Sequence, residues 1–268
     1  MVPPQQDAAP LLVEIDGAVA TVVINDPPWN RMTLEFMDRL EERIGQLAVD
    51  RSVRAIVVRG AGDENFSVGM DLKQLPEGVK RMGSIEAVFD QRLRVLAAIE
   101  NLEKPVIAVL VGNCLGGGLE LPLACHFRIA AAEGAKIGLP ELDLGTLPAW
   151  GGTARLTRCV GRNRALDMIL RARRVSGLEA LHIGLVSQVW PNDEVQRRAQ
   201  ELAAELAAMP ALAVAESLKC VVGAGEGPLD EALAAERKAV MKTMGSADQI
   251  EGMKAFIQKR KPRFNVDS

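Results

Sequence analysis

An α/β fold class with a largely parallel sheet is predicted for this sequence by two observations. Short β-rich runs alternate with longer stretches of helical periodicity as far as Trp190, and beyond Trp190 only helical periodicity continues. The chain therefore divides into a core over 1–190 and a helical region over 191–268.

The first two runs, Leu11 to Ile15 and Val19 to Ile24, are separated by Asp16-Gly17 and read as a hairpin. Pro27-Pro28 ends the second run. Thr33 is suited to cap a helix, because its hydroxyl accepts from a first-turn N–H, and Leu34, Met37, Leu40, Ile44 and Leu47 then recur at helical spacing. Val53 to Val58 follows as a buried strand, and the pattern repeats with a helix from about Ser84 to Leu102 and a strand from Val106 to Val111. Further strands are expected at Phe127 to Ala131 and Leu185 to Val189, the latter preceded by a helix around Leu178 to His182. In the helical region Val195, Ala199, Leu202, Ala203 and Leu206 form one stripe. Pro210, Gly223 to Gly227 and Gly245 then punctuate three more helices, an appendage expected to cover a site or form an oligomer contact.

Composition narrows the function. At 268 residues the chain can bury one large core with a smaller addition, and 48% hydrophobic with 25% charged residues is the balance of an ordinary globular protein. No apolar run reaches the roughly 18 residues of a membrane span. Met1 to Pro10 lack the basic start and apolar run of a signal peptide, so no membrane partner and a cytoplasmic setting are expected. A net charge of −3 gives no general attraction to nucleic acid. Arg155, Arg158, Arg162, Arg164, Arg171, Arg173 and Arg174 still make the middle of the chain cationic, as a solvated helix face on one reading and a surface for an anionic ligand on the other. Cys114, Cys125, Cys159 and Cys220 lack metal-ligand spacing and read as inert thiols, so no metal is expected.

The stretch Asn113-Cys114-Leu115-Gly116-Gly117-Gly118-Leu119-Glu120-Leu121 follows a predicted strand and opens an apolar helix. Its glycines let a backbone N–H approach a ligand, and the helix N-terminus adds partial positive charge, a combination suited to a developing oxyanion. The same glycines equally permit tight strand-to-helix packing. A second loop, Phe66-Ser67-Val68-Gly69-Met70-Asp71-Leu72, also follows a strand and offers another N–H, and an oxyanion hole takes two such donors. The third element, Gly138-Leu139-Pro140-Glu141-Leu142, sets a carboxylate between apolar neighbours. Burial there makes it an acid or base near neutral pH; the alternative is a solvent-facing Glu after a turn.

Four motifs in order, Gly116-Gly117-Gly118-Leu119-Glu120-Leu121, Pro140-Glu141-Leu142 with Leu144-Gly145-Thr146-Leu147-Pro148, Gly151-Gly152-Thr153-Ala154-Arg155-Leu156 and Lys259-Arg260-Lys261-Pro262, give the chain its resemblance to the crotonase (enoyl-CoA hydratase/isomerase) superfamily over about residues 11 to 264. The resemblance implies a crotonase-like core of repeated ββα units with a helical C-terminal trimerisation region, and a homotrimer or hexamer. It implies an acyl-CoA substrate with coenzyme A as its handle and no separate cofactor. By position the oxyanion donors are the N–H groups of Met70 and Gly117, and Glu120 and Glu141 hold the water added to a 2-enoyl-CoA. Which of the two is acid and which base stays open. Lys73, Phe256 and Lys259 are candidates for contacting the coenzyme, against the alternative of solvated lysines and a core Phe.

Ala149-Trp150 stands where the family has small residues, Met70 where a small residue is common, and Leu139 in place of a polar residue. An indole there narrows or lines the acyl pocket, which predicts poor turnover of long straight chains. His126 and His182 lack a nucleophile partner and read as structural. The resemblance also admits a double-bond isomerase, or a hydrolase or decarboxylase of an unusual acyl-CoA, and, outside enzymes, an idle scaffold or RNA-binding relative. The acidic pI argues against RNA, and two glutamates kept with two glycine loops argue against idleness.

Overall fold

The computed structural model describes residues 9–225 and 227–266. The chain opens with β1 (Leu11–Asp16) and β2 (Val19–Ile24), paired antiparallel about Gly17, as the sequence predicts. Helix α1 (Leu34–Val49) is capped by the Thr33 hydroxyl, which accepts from the Phe36 N–H, and buries the Leu34, Met37, Leu40, Ile44 and Leu47 stripe. After β3 (Ala55–Gly60) comes a loop, a 3₁₀ turn (Leu72–Gln74) and the short helix α2 (Leu75–Met82). Helix α3 (Ile85–Glu100) is capped by Ser84. Then follow β4 (Val106–Leu110), β5 (Asn113–Leu115), α4 (Gly117–Ala124), β6 (Phe127–Ala131) and β7 (Lys136–Gly138). A second 3₁₀ turn (Glu141–Leu144) leads to α5 (Gly152–Val160), α6 (Arg162–Leu170), α7 (Gly177–His182) and β8 (Gln188–Trp190). Four helices close the chain: α8 (Val195–Ala207), α9 (Ala211–Gly223), α10 (Leu229–Thr243) and α11 (Ala247–Ile257).

The main sheet has the order β1-β2-β3-β4-β6-β8, and every pair after the hairpin is parallel. A parallel sheet is covered on both faces, and its central strands β2, β3 and β4 are buried almost throughout. Ile56, Val58, Ala108 and Leu110 face one core with α1 and α3, whereas Val57, Ile107 and Val109 face a second core closed by α8. The side α8 turns to the sheet is Val195, Ala199, Ala203 and Ala207, four small residues four apart, so the helix lies close to the strands. The strand expected at Leu185 to Val189 begins only at Gln188. Leu185 and Val186 are buried, but their N–H groups donate to Ala180 O, closing the turn after α7 rather than joining the sheet.

A smaller parallel pair, β5 with β7, aligns the loops that matter for chemistry. Ser67 bridges to Cys114 on the outer side of β5, with Ser67 N donating to Asn113 O (3.0 Å) and Leu115 N to Ser67 O (3.0 Å). On the other side, Gly116 N donates to Gly138 O at 3.1 Å. Three loop ends, Ser67–Met70, Leu115–Gly117 and Gly138–Glu141, are thereby stitched side by side. The buried Asn65 fixes the first of them: its Oδ1 accepts from both nitrogens of Asn113, and its Nδ2 donates to Pro28 O.

Among the described residues no single helix is long and apolar enough to cross a membrane. Helices α10 and α11 leave Leu233, Val240, Met241, Met253, Phe256 and Ile257 more than half exposed on the single chain.

Candidate active site

Glycine determines how closely the three loops approach. Gly69 has φ +90°, and a Cβ on it would lie 2.8 Å from Leu115 O and 3.0 Å from Gly117 N, so only Gly lets the loop rest against the start of α4. The next residue in the chain is Met70, half-buried, whose neighbours on either side are engaged with Met32: Met32 N donates to Gly69 O and Asp71 N to Met32 O. Met70 N takes no part in that bridge. Gly117 is the first residue of α4, so its N–H has no partner within the helix. The two amides expected as oxyanion donors thus lie on adjoining loops, each outside the backbone bonding of its own element.

Glu120 sits on the first turn of α4, a helix buried along its whole length, and is 2% exposed. Its Oε1 accepts from Trp150 N (2.7 Å) and Gly152 N (2.9 Å). Burial pushes its pKa up to about 7; the two N–H donors hold it back, and the charge of Glu141 raises it further. Glu141 opens the 3₁₀ turn after β7. Its Oε1 lies where a Cβ on Gly116 would come within 3.2 Å, and its Oε2 is buried without a hydrogen-bond partner among the described residues. Burial raises its pKa as well, in a setting dried by the fully buried Leu139. The structure therefore brings Glu120 and Glu141 within electrostatic reach of each other, on either side of the Gly116–Gly117 turn.

The turn that grips Glu120 is itself held. Arg155 donates from Nη1 to Trp150 O (3.0 Å) and from Nε and Nη2 to Glu100 Oε2 (3.0 and 2.7 Å). Gly151, at φ +93°, leaves room for that guanidinium. The Trp150 side chain is 3% exposed, and its six-membered ring lies over Gly117, where a Cβ would run into Cζ3. The indole thus borders the site, as the sequence suggests for this departure.

Other expected residues fall elsewhere. Lys73 is exposed in the 3₁₀ turn just after Met70. Phe256 is 81% exposed at the end of α11 and Lys259 is exposed beyond it; neither makes a hydrogen bond or ion pair with the Glu120–Glu141 centre among the described residues. His126 is held between two backbone groups, its Nδ1 accepting from Val106 N and its Nε2 facing Glu100 O, and burial lowers its pKa. Of the arginines of the middle segment, Arg171 and Arg173 form ion pairs with Asp167, Arg173 also with Glu179, and Arg174 with Asp143. Cys114 and Cys125 are buried, and burial raises both thiols, Cys125 to about 12.

Sequence reasoning missed Glu100, Asn65 and Arg92. Arg92 had a signal, since it occupies a place in the apolar stripe of α3 with Val88, Leu96 and Ile99. Asn65 had none, being one polar residue in a loop.

The fold is that of a crotonase-type enzyme, and comparison with known proteins agrees. Residues 14–267 match the enoyl-CoA hydratase/isomerase family profile. A probable enoyl-CoA hydratase of Bacillus subtilis is 38% identical over 252 residues, 93% of this chain and 96% of that protein. A short-chain-enoyl-CoA hydratase of Clostridium acetobutylicum is 36% identical over 254 residues, 94% of this chain and 95% of that protein. The crystal structure of an enoyl-CoA hydratase from Bacillus anthracis superposes with a TM-score of 0.90 at 31% identity, covering 96% of this chain and 100% of that one. The chain belongs to the enoyl-CoA hydratase/isomerase family and is an enoyl-CoA hydratase-like enzyme.

Proposed function

We propose that the protein adds water across the double bond of a 2-enoyl-CoA to give a 3-hydroxyacyl-CoA. In this reading the N–H groups of Gly117 and Met70 hold the thioester oxygen, whose negative charge grows as the β-carbon is attacked. The water lies between Glu120 and Glu141; one carboxylate takes its proton during attack, and the other carboxyl supplies the proton that reaches the α-carbon. That division needs one carboxyl ionised and one protonated. Burial raises the pKa of both carboxyls, and the charge of Glu141 raises that of Glu120 further, which favours one of the two keeping a proton. Two carboxyls with burial-raised pKa, on either side of the Gly116–Gly117 turn, are the observation that carries the reading.

Coenzyme A is the handle of the substrate rather than a separate cofactor, with Lys73, Phe256 and Lys259 as its proposed contacts. The apolar residues left exposed on α10 and α11 support a homotrimer or hexamer in which those helices meet other copies. A cytoplasmic setting goes with this assignment. The test is the loss of enoyl-thioester ultraviolet absorbance with crotonyl-CoA, run with Glu120→Gln and Glu141→Gln. Retention of the full rate by either variant would overturn the mechanism. Production of a shifted double bond without hydration would assign an isomerase instead.

A further inference from the structure

Arg92 on α3 is fully buried, with Asp38 and Glu41 the carboxylates whose charge reaches it. Its Nη1 donates to Gln91 Oε1 at 2.6 Å and to Val88 O at 3.2 Å, while Nε and Nη2 are buried with no hydrogen-bond partner among the described residues. The nearby carboxylates are already engaged. Both oxygens of Asp38 are bonded by Arg81, one of them also by Gln91 Nε2, and Glu41 is bonded by Arg94 and Gln91 Nε2. Burial lowers the Arg92 pKa to about 10, which leaves it cationic at neutral pH.

A guanidinium in such a place is expensive to keep. A Met or Leu of similar size would fill the α3 stripe without the desolvation cost of a charge, so packing alone does not account for an arginine with two idle donors. Its location suggests what it serves. The Arg92 guanidinium lies over the Trp150 indole, Cζ at 5.9 Å from the ring centroid, and the six-membered edge of that indole lies over Gly117. Trp150 thereby neighbours both the Gly117 turn and the guanidinium that carries the unpartnered Nε and Nη2.

We propose that the acyl group accepted here ends in a carboxylate, bound by Nε and Nη2 of Arg92 beyond Trp150, so that the substrate class is a short dicarboxylic 2-enoyl-CoA. Nε and Nη2 present two roughly parallel N–H groups, the pair that grips both oxygens of a carboxylate. The inference rests on the hydratase reading for the reaction but not for the binding.

The experiment compares substrates that differ in one end. Wild-type enzyme is assayed with glutaconyl-CoA and 2-hexenedioyl-CoA against crotonyl-CoA and 2-hexenoyl-CoA. The dicarboxylic member of at least one pair is expected to have the higher kcat/KM by about tenfold or more. Arg92→Gln and Arg92→Met are expected to bring that ratio close to one. Equal or reversed preference in the wild type overturns the proposal, and so does a ratio that the variants leave unchanged. If no enoyl-CoA is hydrated, the hydratase reading fails by itself, and the dissociation constants of adipyl-CoA and hexanoyl-CoA decide the matter instead. Tighter adipyl-CoA binding in the wild type sustains the proposal and equal binding overturns it, so the answer stands even where the variants fail to fold.

Discussion

Glu120 and Glu141 are the same residue type in regions built on opposite principles. Glu120 stands on a buried helix, and one of its oxygens is gripped by two backbone N–H groups whose turn is tied down through Arg155 to Glu100. Glu141 opens a 3₁₀ turn whose remaining residues, Leu142 to Leu144, are exposed, and one of its oxygens has no partner among the described residues. The first region fixes a carboxylate in place; the second keeps one dry but lightly held. A pair that must pass protons through one water benefits from that division, because one partner sets the geometry and the other can follow the proton.

The comparison breaks most directly at the carboxylates. Glu120→Gln and Glu141→Gln are each expected to lower kcat by roughly 10²–10⁴, the usual contribution of a positioned acid or base. Their combination is expected to cost far less than the product of the two, since in the proposed mechanism they act on one water. Steady-state hydration of crotonyl-CoA reads this, and a strictly multiplicative double variant would separate the two residues into independent roles.

A stability measurement sharpens the contrast. Glu120 has a folded-state pKa raised to about 7 from 4.5, so between those values the folded chain holds a proton that the unfolded chain has lost. Stability therefore falls as pH rises through that window, and the cost is complete above pH 7. Glu120→Gln keeps an oxygen for the Trp150 and Gly152 N–H groups without the charge. It is expected to be more stable than the wild type at pH 8, by up to about 3 kcal/mol, with the gap closing near pH 4.5. Denaturant melts at the two pH values measure it, and a gap independent of pH would place the carboxylate in water.

Local signals made much of this architecture readable, and cooperative ones hid the rest. The Asp16-Gly17 hairpin, the Thr33 cap and the stripe from Leu34 to Leu47 are each decided within one element, and the structure has them where the residues put them. Strands β5 and β7 are three residues each, too short for a period to register, yet they align the site. Leu185 and Val186 look like strand because they are buried and apolar, but burial in a turn has the same composition. Glu120 and Glu141 were legible as chemical candidates through their glycine and proline surroundings. The grip on Glu120 was not, because its donors are backbone N–H groups whose direction no side chain announces.

The grip itself can be loosened without touching a carboxylate. A Cβ on Gly152 would lie 2.8 Å from Glu120 Oε1 and 3.0 Å from Pro148 Cβ, so Gly152→Ala must push the carboxylate or the turn aside. A fall of roughly tenfold to a hundredfold in kcat is expected, with a smaller change in KM, because position rather than binding is disturbed. Gly116→Ala approaches Glu141 Oε1 only to 3.2 Å but carries a φ of +57°, so its cost is expected more in stability than in rate. Equal loss of kcat in both would mean that the two glutamates are held alike.

The smallest expected effect concerns the indole that borders both. With its ring over Gly117 and 3% exposed, Trp150 limits the space beside the proposed thioester site. Long straight enoyl chains are therefore expected to be poor substrates of the wild type. Trp150→Leu removes the ring while leaving the backbone N–H that Glu120 accepts from, so the acid and base stay in register as the pocket widens. The rate ratio of an eight-carbon to a four-carbon enoyl-CoA is expected to rise several-fold to about tenfold, the scale on which an apolar pocket discriminates chain length. Efficient eight-carbon turnover by the wild type would show that the chain leaves the Gly117 turn in a direction the indole does not obstruct. It would then also bypass the ring that Arg92 lies over.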